Sequence, residues 1–178
     1  IFGLLGKNIE YSFSRGYFSK KFENLQLEQY QYVNFDIEKI EDFPFIIRKE
    51  KPHLGGINVT IPYKEEVLQF LDVLDETAKE IGAVNTIKFL KNGQVKGYNS
   101  DSVGFEKSLL PLLEKHHKNA LILGTGGASK AVAFALKKNN IKFKFVSRNP
   151  KGHATLSYED LTKNIIENYQ IIINTTPV

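Results

Sequence analysis

A continuous apolar run, Ala120-Leu121-Ile122-Leu123, leads directly into Gly124-Thr125-Gly126-Gly127-Ala128-Ser129-Lys130-Ala131. Apolar residues without alternation are the pattern of a parallel strand buried on both faces. Gly124 lets the chain turn sharply. Gly126 and Gly127 let backbone N–H groups approach a pyrophosphate with no Cβ in the way, and Ala128 and Ala131 are small enough for the following helix to pack close to a sheet. The N-terminus of that helix puts partial positive charge where phosphates sit. Strand, glycine loop and helix together are the context this motif requires; the alternative is a tight strand–helix turn without a ligand. Downstream, the spacing predicts a helix to about Asn139, a strand over 141–146, a helix over 158–166 and a third strand over 170–173. This β-α-β-α-β order is the mononucleotide-binding half of a doubly wound sheet.

The second of these strands ends at Ser147-Arg148-Asn149. Sheets that bind NAD carry an acidic residue in this region, about 20 positions past the loop, for the ribose 2′-hydroxyl. Here Arg148 stands in its place, with Lys151 close by. A guanidinium pairs with a 2′-phosphate through a charge-assisted fork, which points to NADP over NAD. The other reading is a solvated Arg at a strand end. The third strand ends at Asn174-Thr175-Thr176-Pro177. Gly124, Ser147 and Asn174 therefore all mark carboxyl ends of parallel strands, where open α/β sheets bind ligands. Asn-Thr-Thr-Pro is equally simple turn chemistry.

The first half of the chain has a different rhythm. Residues 1–5 read as a buried strand, and Ser14 as the N-cap of a helix carrying Tyr17, Phe18, Phe22 and Leu25. Tyr11, Phe13, Tyr17 and Phe18 read as core aromatics. A strand is expected within 29–35, helices over 42–49, 63–71 and 75–81, and a strand over 55–60 that Pro62 breaks. Asn92-Gly93, flanked by 83–90 and 94–98, is a strong hairpin signal, and a helix over 103–116 follows it. Lys64 falls in the first turn of the predicted 63–71 helix, where the helix dipole disfavours a cation. It is a site candidate, or a solvated lysine paired with Glu65 or Glu66. Asn85 lies in an apolar strand and needs partners, so it belongs to a network or touches a ligand. Asp101 has helix capping as its default role.

Composition removes other classes. The 178 residues are 42% hydrophobic and 25% charged, as in a globular protein and unlike disordered or collagenous chains. No apolar run approaches the roughly 18 residues of a membrane span. Without cysteine there is no disulfide, thiolate metal site or Cys nucleophile. His53, His116, His117 and His153 are not at ligand spacing, so no metal is expected. A net charge of +4, evenly spread, suits small anions and gives no argument for nucleic acid. A chain that starts at Ile1, has no Met and stops at Val178 just after a strand is expected to be part of a longer protein.

Taken together, Asn58-Val59-Thr60-Ile61-Pro62-Tyr63-Lys64, Ala83–Thr86, the Gly97–Gly104 segment with Asn99 and Asp101, Gly124–Ala131 and Asn174–Val178, in this order and spacing, resemble the shikimate dehydrogenase family. The resemblance runs from Phe2 to the end of the chain. It implies an α/β fold: a substrate-binding and catalytic domain over 1–101, then a Rossmann-like NADP domain over 102–178 whose C-terminal part is missing, with a cleft between them. It implies reversible, NADPH-dependent reduction of 3-dehydroshikimate to shikimate, in the shikimate pathway to chorismate and aromatic amino acids. Lys64 and Asp101 match the catalytic pair. Ser12 and Ser14 match the S-x-S motif that holds the substrate carboxylate, and Thr60, Asn85 and Asp101 match residues that bond ring hydroxyls. Gly124, Gly126, Gly127, Ala128, Ser147, Arg148, Asn149 and Thr175 fall on the cofactor side. Arg15 stands where the family has proline, and Ser147 and Asn149 replace the Asn and Thr of its N-R-T segment. The resemblance further implies a cytoplasmic monomer or homodimer that acts on a small molecule, with no nucleic acid or membrane partner. The alternatives are a quinate/shikimate dehydrogenase using NAD, which an acidic residue in place of Arg148 would favour, and a non-catalytic dinucleotide-binding homologue, which loss of Lys64 or Asp101 would favour.

Overall fold

The computed structural model describes residues 1–50, 53–150, 152 and 154–176. Lys151, His153, Pro177 and Val178, all named above, lie outside the described residues. The chain divides into two compact units, Ile1–Asn99 and Ser100–Val178.

The first unit contains β1 (Phe2–Gly6), α1 (Ser14–Asn24), β2 (Tyr32–Asp36), α2 (Phe43–Glu50), β3 (Gly56–Val59), β4 (Val73–Leu74), α3 (Glu76–Ile81), β5 (Thr86–Phe89) and β6 (Val95–Tyr98). Its strands form one sheet in the order β2-β1-β3-β5-β6-β4. β1 is parallel to β2 and β3, while β5 is antiparallel to β3 and β6. Both faces of this sheet are covered. Leu5, Ile57, Val59 and Ile87 pack with Phe43 and Val67 on one side, and Leu4 and Ile9 pack with Tyr32, Phe18 and Phe22 on the other. Each fully buried Leu or Ile contributes about 1.5–3 kcal/mol.

Local chemistry redirects several predicted elements. Ser14 is the first residue of α1, preceded by Phe13, and Ser12 Oγ accepts from the Ser14 N–H at 3.4 Å, so Ser12 does the work expected of Ser14. The helix predicted over 63–71 is a turn followed by a 3-10 segment, Glu66–Phe70. The Lys64 carbonyl accepts from Val84 N–H at 2.7 Å, and Leu68 N–H turns to Glu65 O. Lys64 is therefore in a turn and not in a helix. The α3 boundaries follow their signals: the Asp75 carboxylate accepts from Thr77 N–H, and Gly82 takes the left-handed C-cap at φ 69°. Of the four predicted core aromatics only Phe18 is packed, stacked on Tyr32 at 4.6 Å; Tyr11, Phe13 and Tyr17 are exposed. They sit on the solvent side of the loop and helix, away from the sheet that buries Phe18 and Phe22.

The second unit contains α4 (Asp101–Leu109), β7 (Asn119–Leu123), α5 (Gly127–Lys138), β8 (Lys142–Val146), β9 (Ala154–Leu156), α6 (Lys163–Ile166) and β10 (Ile171–Asn174). The sheet runs β10-β7-β8-β9, all parallel. The expected three strands are joined by β9, too short to show a period, so the strand read as third is the fourth. Ala120 and Ile122 pack with Val132, Leu136 and Ile141, while Phe105 and Leu109 of α4 lean on the same core. Glu106 of α4 accepts from Lys138 Nζ at 2.8 Å and Asn139 Nδ2 at 2.9 Å at the end of α5. The helix expected to reach residue 116 gives way to a 3-10 turn at Leu110–Leu112, because Pro111 has no N–H to donate. The helix expected over 158–166 shrinks to α6. The Asp160 carboxylate captures the Ser157 N–H at 2.6 Å and closes a turn instead.

Candidate functional site

In the first unit, strand direction decides where the polar residues gather. β1, β2, β3 and β6 point one way and β5 the other, so the carboxyl ends of the former share an edge with the start of β5. A row of backbone bonds marks this edge: Thr60 N–H to Leu5 O at 2.9 Å, Val59 N–H to Asn85 O at 2.8 Å, and Asn85 N–H to Tyr98 O at 3.1 Å. Thr60 and Asn85 are thereby brought to one edge. The turn carrying Lys64 is fixed at three points. Tyr63 N–H bonds Thr60 O, the buried Tyr63 hydroxyl donates to Ile37 O at 2.8 Å, and the Lys64 carbonyl holds Val84. Burial pushes the Tyr63 hydroxyl pKa up, so it stays a donor. Ile61–Pro62 within this turn is cis.

The loop after β1 brings Ser12 and Ser14 together, Oγ to Oγ at 3.3 Å. Its base is clamped by Asp36 at the end of β2, whose two carboxylate oxygens accept from Asn8 N–H at 2.9 Å and Ile9 N–H at 3.0 Å. Lys7 N–H bonds Ile61 O, which ties the loop to the Lys64 turn. Beyond β6, the buried Asn99 donates from Nδ2 to Ala83 O at 2.9 Å. Asp101 follows as the first residue of α4 and falls in the second unit, half-buried.

In the second unit the order β10-β7-β8-β9 places β8 and β10 on opposite sides of β7, so the connections leave the sheet in opposite directions there. Such a switch point opens a crevice at the carboxyl ends of the strands. Gly124 N–H bonds Val146 O at 2.9 Å, and Thr175 N–H bonds Leu123 O at 2.9 Å, so the glycine loop, Ser147 and Thr175 stand side by side. Gly124 has φ +112°, and a Cβ on Gly126 would meet nothing within 4 Å. α5 starts at Gly127 with no acidic residue in its first turn, which leaves its N-terminal dipole uncompensated. Ser129 is buried and donates to Gly126 O at 2.6 Å, bracing the loop from behind. Ala131 is buried against the sheet, Ala128 half so. Ser147 Oγ accepts from Asn149 N–H at 3.3 Å, and Arg148 between them is exposed. An open loop with free space at Gly126, an unopposed helix N-terminus and a neighbouring guanidinium fit a phosphorylated dinucleotide.

Asp36, Tyr63 and Asn99 are positioning residues to which the sequence alone assigned no role. A carboxylate at a strand end and a tyrosine inside the N-V-T-I-P-Y-K segment were visible, but their partners lie 27 and 26 residues away and emerge only from the fold. Among the described residues no group of three or more His, Asp or Glu is placed to hold a metal, and no helix is long and apolar enough to cross a membrane.

Residues 4–87 match the family model described as the shikimate dehydrogenase substrate binding domain. The chain is 38% identical over 198 residues to "Shikimate dehydrogenase (NADP(+))" of Methanococcus vannielii, covering all of this chain and 68% of that protein. The chain belongs to the shikimate dehydrogenase family. The crystal structure of shikimate dehydrogenase from Aquifex aeolicus is 37% identical with a TM-score of 0.85, covering 99% of this chain and 68% of that one. That of the Thermus thermophilus enzyme in complex with shikimate is 30% identical with a TM-score of 0.83, covering 98% and 68%. The shikimate dehydrogenase domain match spans Ser12, Ser14, Thr60, Lys64 and Asn85, the residues gathered at the first sheet edge.

Proposed function

We propose that this chain carries out the reversible, NADP-dependent interconversion of shikimate and 3-dehydroshikimate, with the substrate held by residues 1–101 and the cofactor by 102–178. The observation that carries this reading is the first sheet edge, where Ser12 with Ser14, Thr60, the Lys64 turn and Asn85 are assembled by backbone bonds in a chain of this family. Hydroxyls and amides at one edge suit a polyhydroxylated acid, because a site built to hydrogen-bond hydroxyls rejects analogues lacking them.

The Gly124–Ala128 loop, Ser147, Arg148, Asn149 and Thr175 hold the cofactor in this reading, with Arg148 on the 2′-phosphate. Bound NADPH supplies the hydride. As the substrate ketone is reduced its oxygen gains negative charge, and Lys64 Nζ gives that oxygen a proton. Asp101 is the second member of this acid–base pair. General acid catalysis of this kind contributes about 10²–10⁴-fold. Ser12 and Ser14 bind the substrate carboxylate, and Thr60 and Asn85 its hydroxyls. A cytoplasmic monomer or homodimer belongs to the same reading.

The test is shikimate-dependent reduction of NADP by the intact enzyme, with NAD and quinate measured beside it. Turnover of shikimate with NADP as the preferred cofactor supports the reading. Preference for NAD with quinate overturns the cofactor assignment, and no turnover of either acid overturns the reading itself.

A further inference from the structure

On the α1 side of the first sheet, hydrogen-bonded polar side chains run across three strands. Tyr32 of β2 donates from its hydroxyl to Asn58 Oδ1 of β3 at 2.9 Å, reaching over β1. Asn58 Nδ2 donates to Thr86 Oγ1 of β5 at 3.4 Å. Thr86 Oγ1 donates to Asn85 Oδ1 at 3.1 Å. The register explains the alignment: Leu4, Asn58 and Thr86 are paired neighbours in one row, and Tyr32 stands opposite Phe2, two residues along the same face. Tyr32 is 5% exposed and stacks on Phe18 at 4.6 Å, so its ring is fixed.

Every link has one direction. Burial raises the Tyr32 phenol to about 12, so it is a neutral hydroxyl with one proton to place. That proton goes to Asn58 Oδ1, which sets the Asn58 amide with Nδ2 toward Thr86. Thr86 Oγ1, already accepting, sends its own proton to Asn85 Oδ1. With Oδ1 engaged, the other arm of the Asn85 amide carries only donors.

We infer that Tyr32, Asn58 and Thr86 form a one-way hydrogen-bond relay that fixes the Asn85 amide with its NH2 toward the substrate, so that the site reads a substrate oxygen as an acceptor at this point. The inference rests on the reading of Asn85 as a substrate contact. Tyr32 and Thr86 are positioning residues, acting through Asn85 and touching no substrate. Breaking the relay removes the hydroxyl that engages Asn85 Oδ1, which weakens substrate binding without altering the proton-transfer groups.

The experiment uses the intact enzyme and the Tyr32→Phe, Thr86→Val and Thr86→Ser variants, with KM for shikimate, KM for NADP, kcat and thermal unfolding measured for each. Tyr32→Phe keeps the stacked ring, Thr86→Val keeps the shape, and Thr86→Ser keeps the hydroxyl. Tyr32→Phe and Thr86→Val are expected to raise KM for shikimate about 2- to 10-fold, the worth of one intramolecular hydrogen bond, with KM for NADP and kcat little changed. Thr86→Ser is expected to restore the parent KM. The double variant is expected to be no worse than the more damaged single one, because one broken link uncouples the whole relay. An unchanged shikimate KM in Thr86→Val, a parallel rise in both KM values, or Thr86→Ser behaving like Thr86→Val would overturn the relay. If Tyr32→Phe does not fold, the Thr86 pair decides alone. Failure of the parent enzyme to turn over shikimate overturns the underlying reading; a working parent with unaffected variants overturns only the relay.

Discussion

Thr175 Oγ1 stands 2.7 Å from the point where a Cβ on Gly124 would lie. The same hydroxyl donates to Leu123 O at 2.7 Å, so it has a fixed place and does not swing aside. Gly124 also has φ +112°, a region that L side chains rarely adopt. Gly124→Ala is therefore expected to destabilise the second unit by about 1–3 kcal/mol and to raise KM for NADP well above the change in KM for shikimate. Denaturant unfolding and steady-state kinetics on the same preparation check both.

Arg148 is exposed at the edge beside the glycine loop, and no acidic residue replaces it. Arg148→Ala is expected to raise KM for NADP about 10- to 150-fold, the range of a charge-assisted bond of about 1.5–3 kcal/mol, and to leave KM for NAD nearly unchanged. Equal effects on the two cofactors would remove the 2′-phosphate assignment.

Lys64, Asp101 and Ser14 are expected to separate chemistry from binding. Lys64→Ala lowers kcat by about 10²–10⁴-fold with a modest change in substrate KM, since the charge it meets develops in the transition state. Asp101→Ala lowers kcat too, and the double variant loses little beyond the worse single one. Ser14→Ala mainly raises KM for shikimate. A Lys64→Ala enzyme with unchanged kcat would return Lys64 to an ordinary turn lysine.

Asp36 holds the base of the serine loop with both carboxylate oxygens. In Asp36→Asn only one amide oxygen remains to accept, so one of the Asn8 and Ile9 N–H groups loses its bond. KM for shikimate is expected to rise about 3- to 10-fold, with KM for NADP unchanged. Hydrogen exchange at Asn8 and Ile9 reads the loosened loop directly.

Glu106 has its pKa lowered by hydrogen bonds from Lys138 and Asn139, relative to an ordinary value of 4.5. A carboxyl depressed in the folded state stabilises fully above its unfolded pKa, and that stabilisation is lost as pH falls through the lower folded value. Melting temperatures of the parent and Glu106→Gln are therefore expected to differ most at neutral pH and to converge as pH falls below about 4.5.

The glycine loop was legible from residue types, because strand, glycines and small helix residues act locally. So were the Asn92-Gly93 hairpin, with Gly93 at φ +86°, and the helix expected over 75–81, found at Glu76–Ile81. What escaped reading depended on distant partners. The segment after Pro62 has helical spacing, yet Val84 claims the Lys64 carbonyl from 20 positions away. Tyr11, Phe13 and Tyr17 have the hydrophobicity of core residues, but their exposure depends on how the loop after β1 and the helix α1 meet the sheet. The two polar edges were visible as motifs, whereas their assembly required strand directions that no local pattern specifies.

The β5–β6 hairpin reverses the chain so that the start of one strand and the end of the next, Asn85 and Tyr98, lie on the same edge. Its tip at Asn92-Gly93 consequently projects from the opposite end, about 20 Å of extended chain from Asn85. Lengthening the tip adds loop entropy that grows slowly with length and leaves the register near Asn85 intact. That makes the hairpin tip a suitable place to attach a fluorophore, an affinity handle or a whole inserted domain, reporting on the enzyme from outside its working edge.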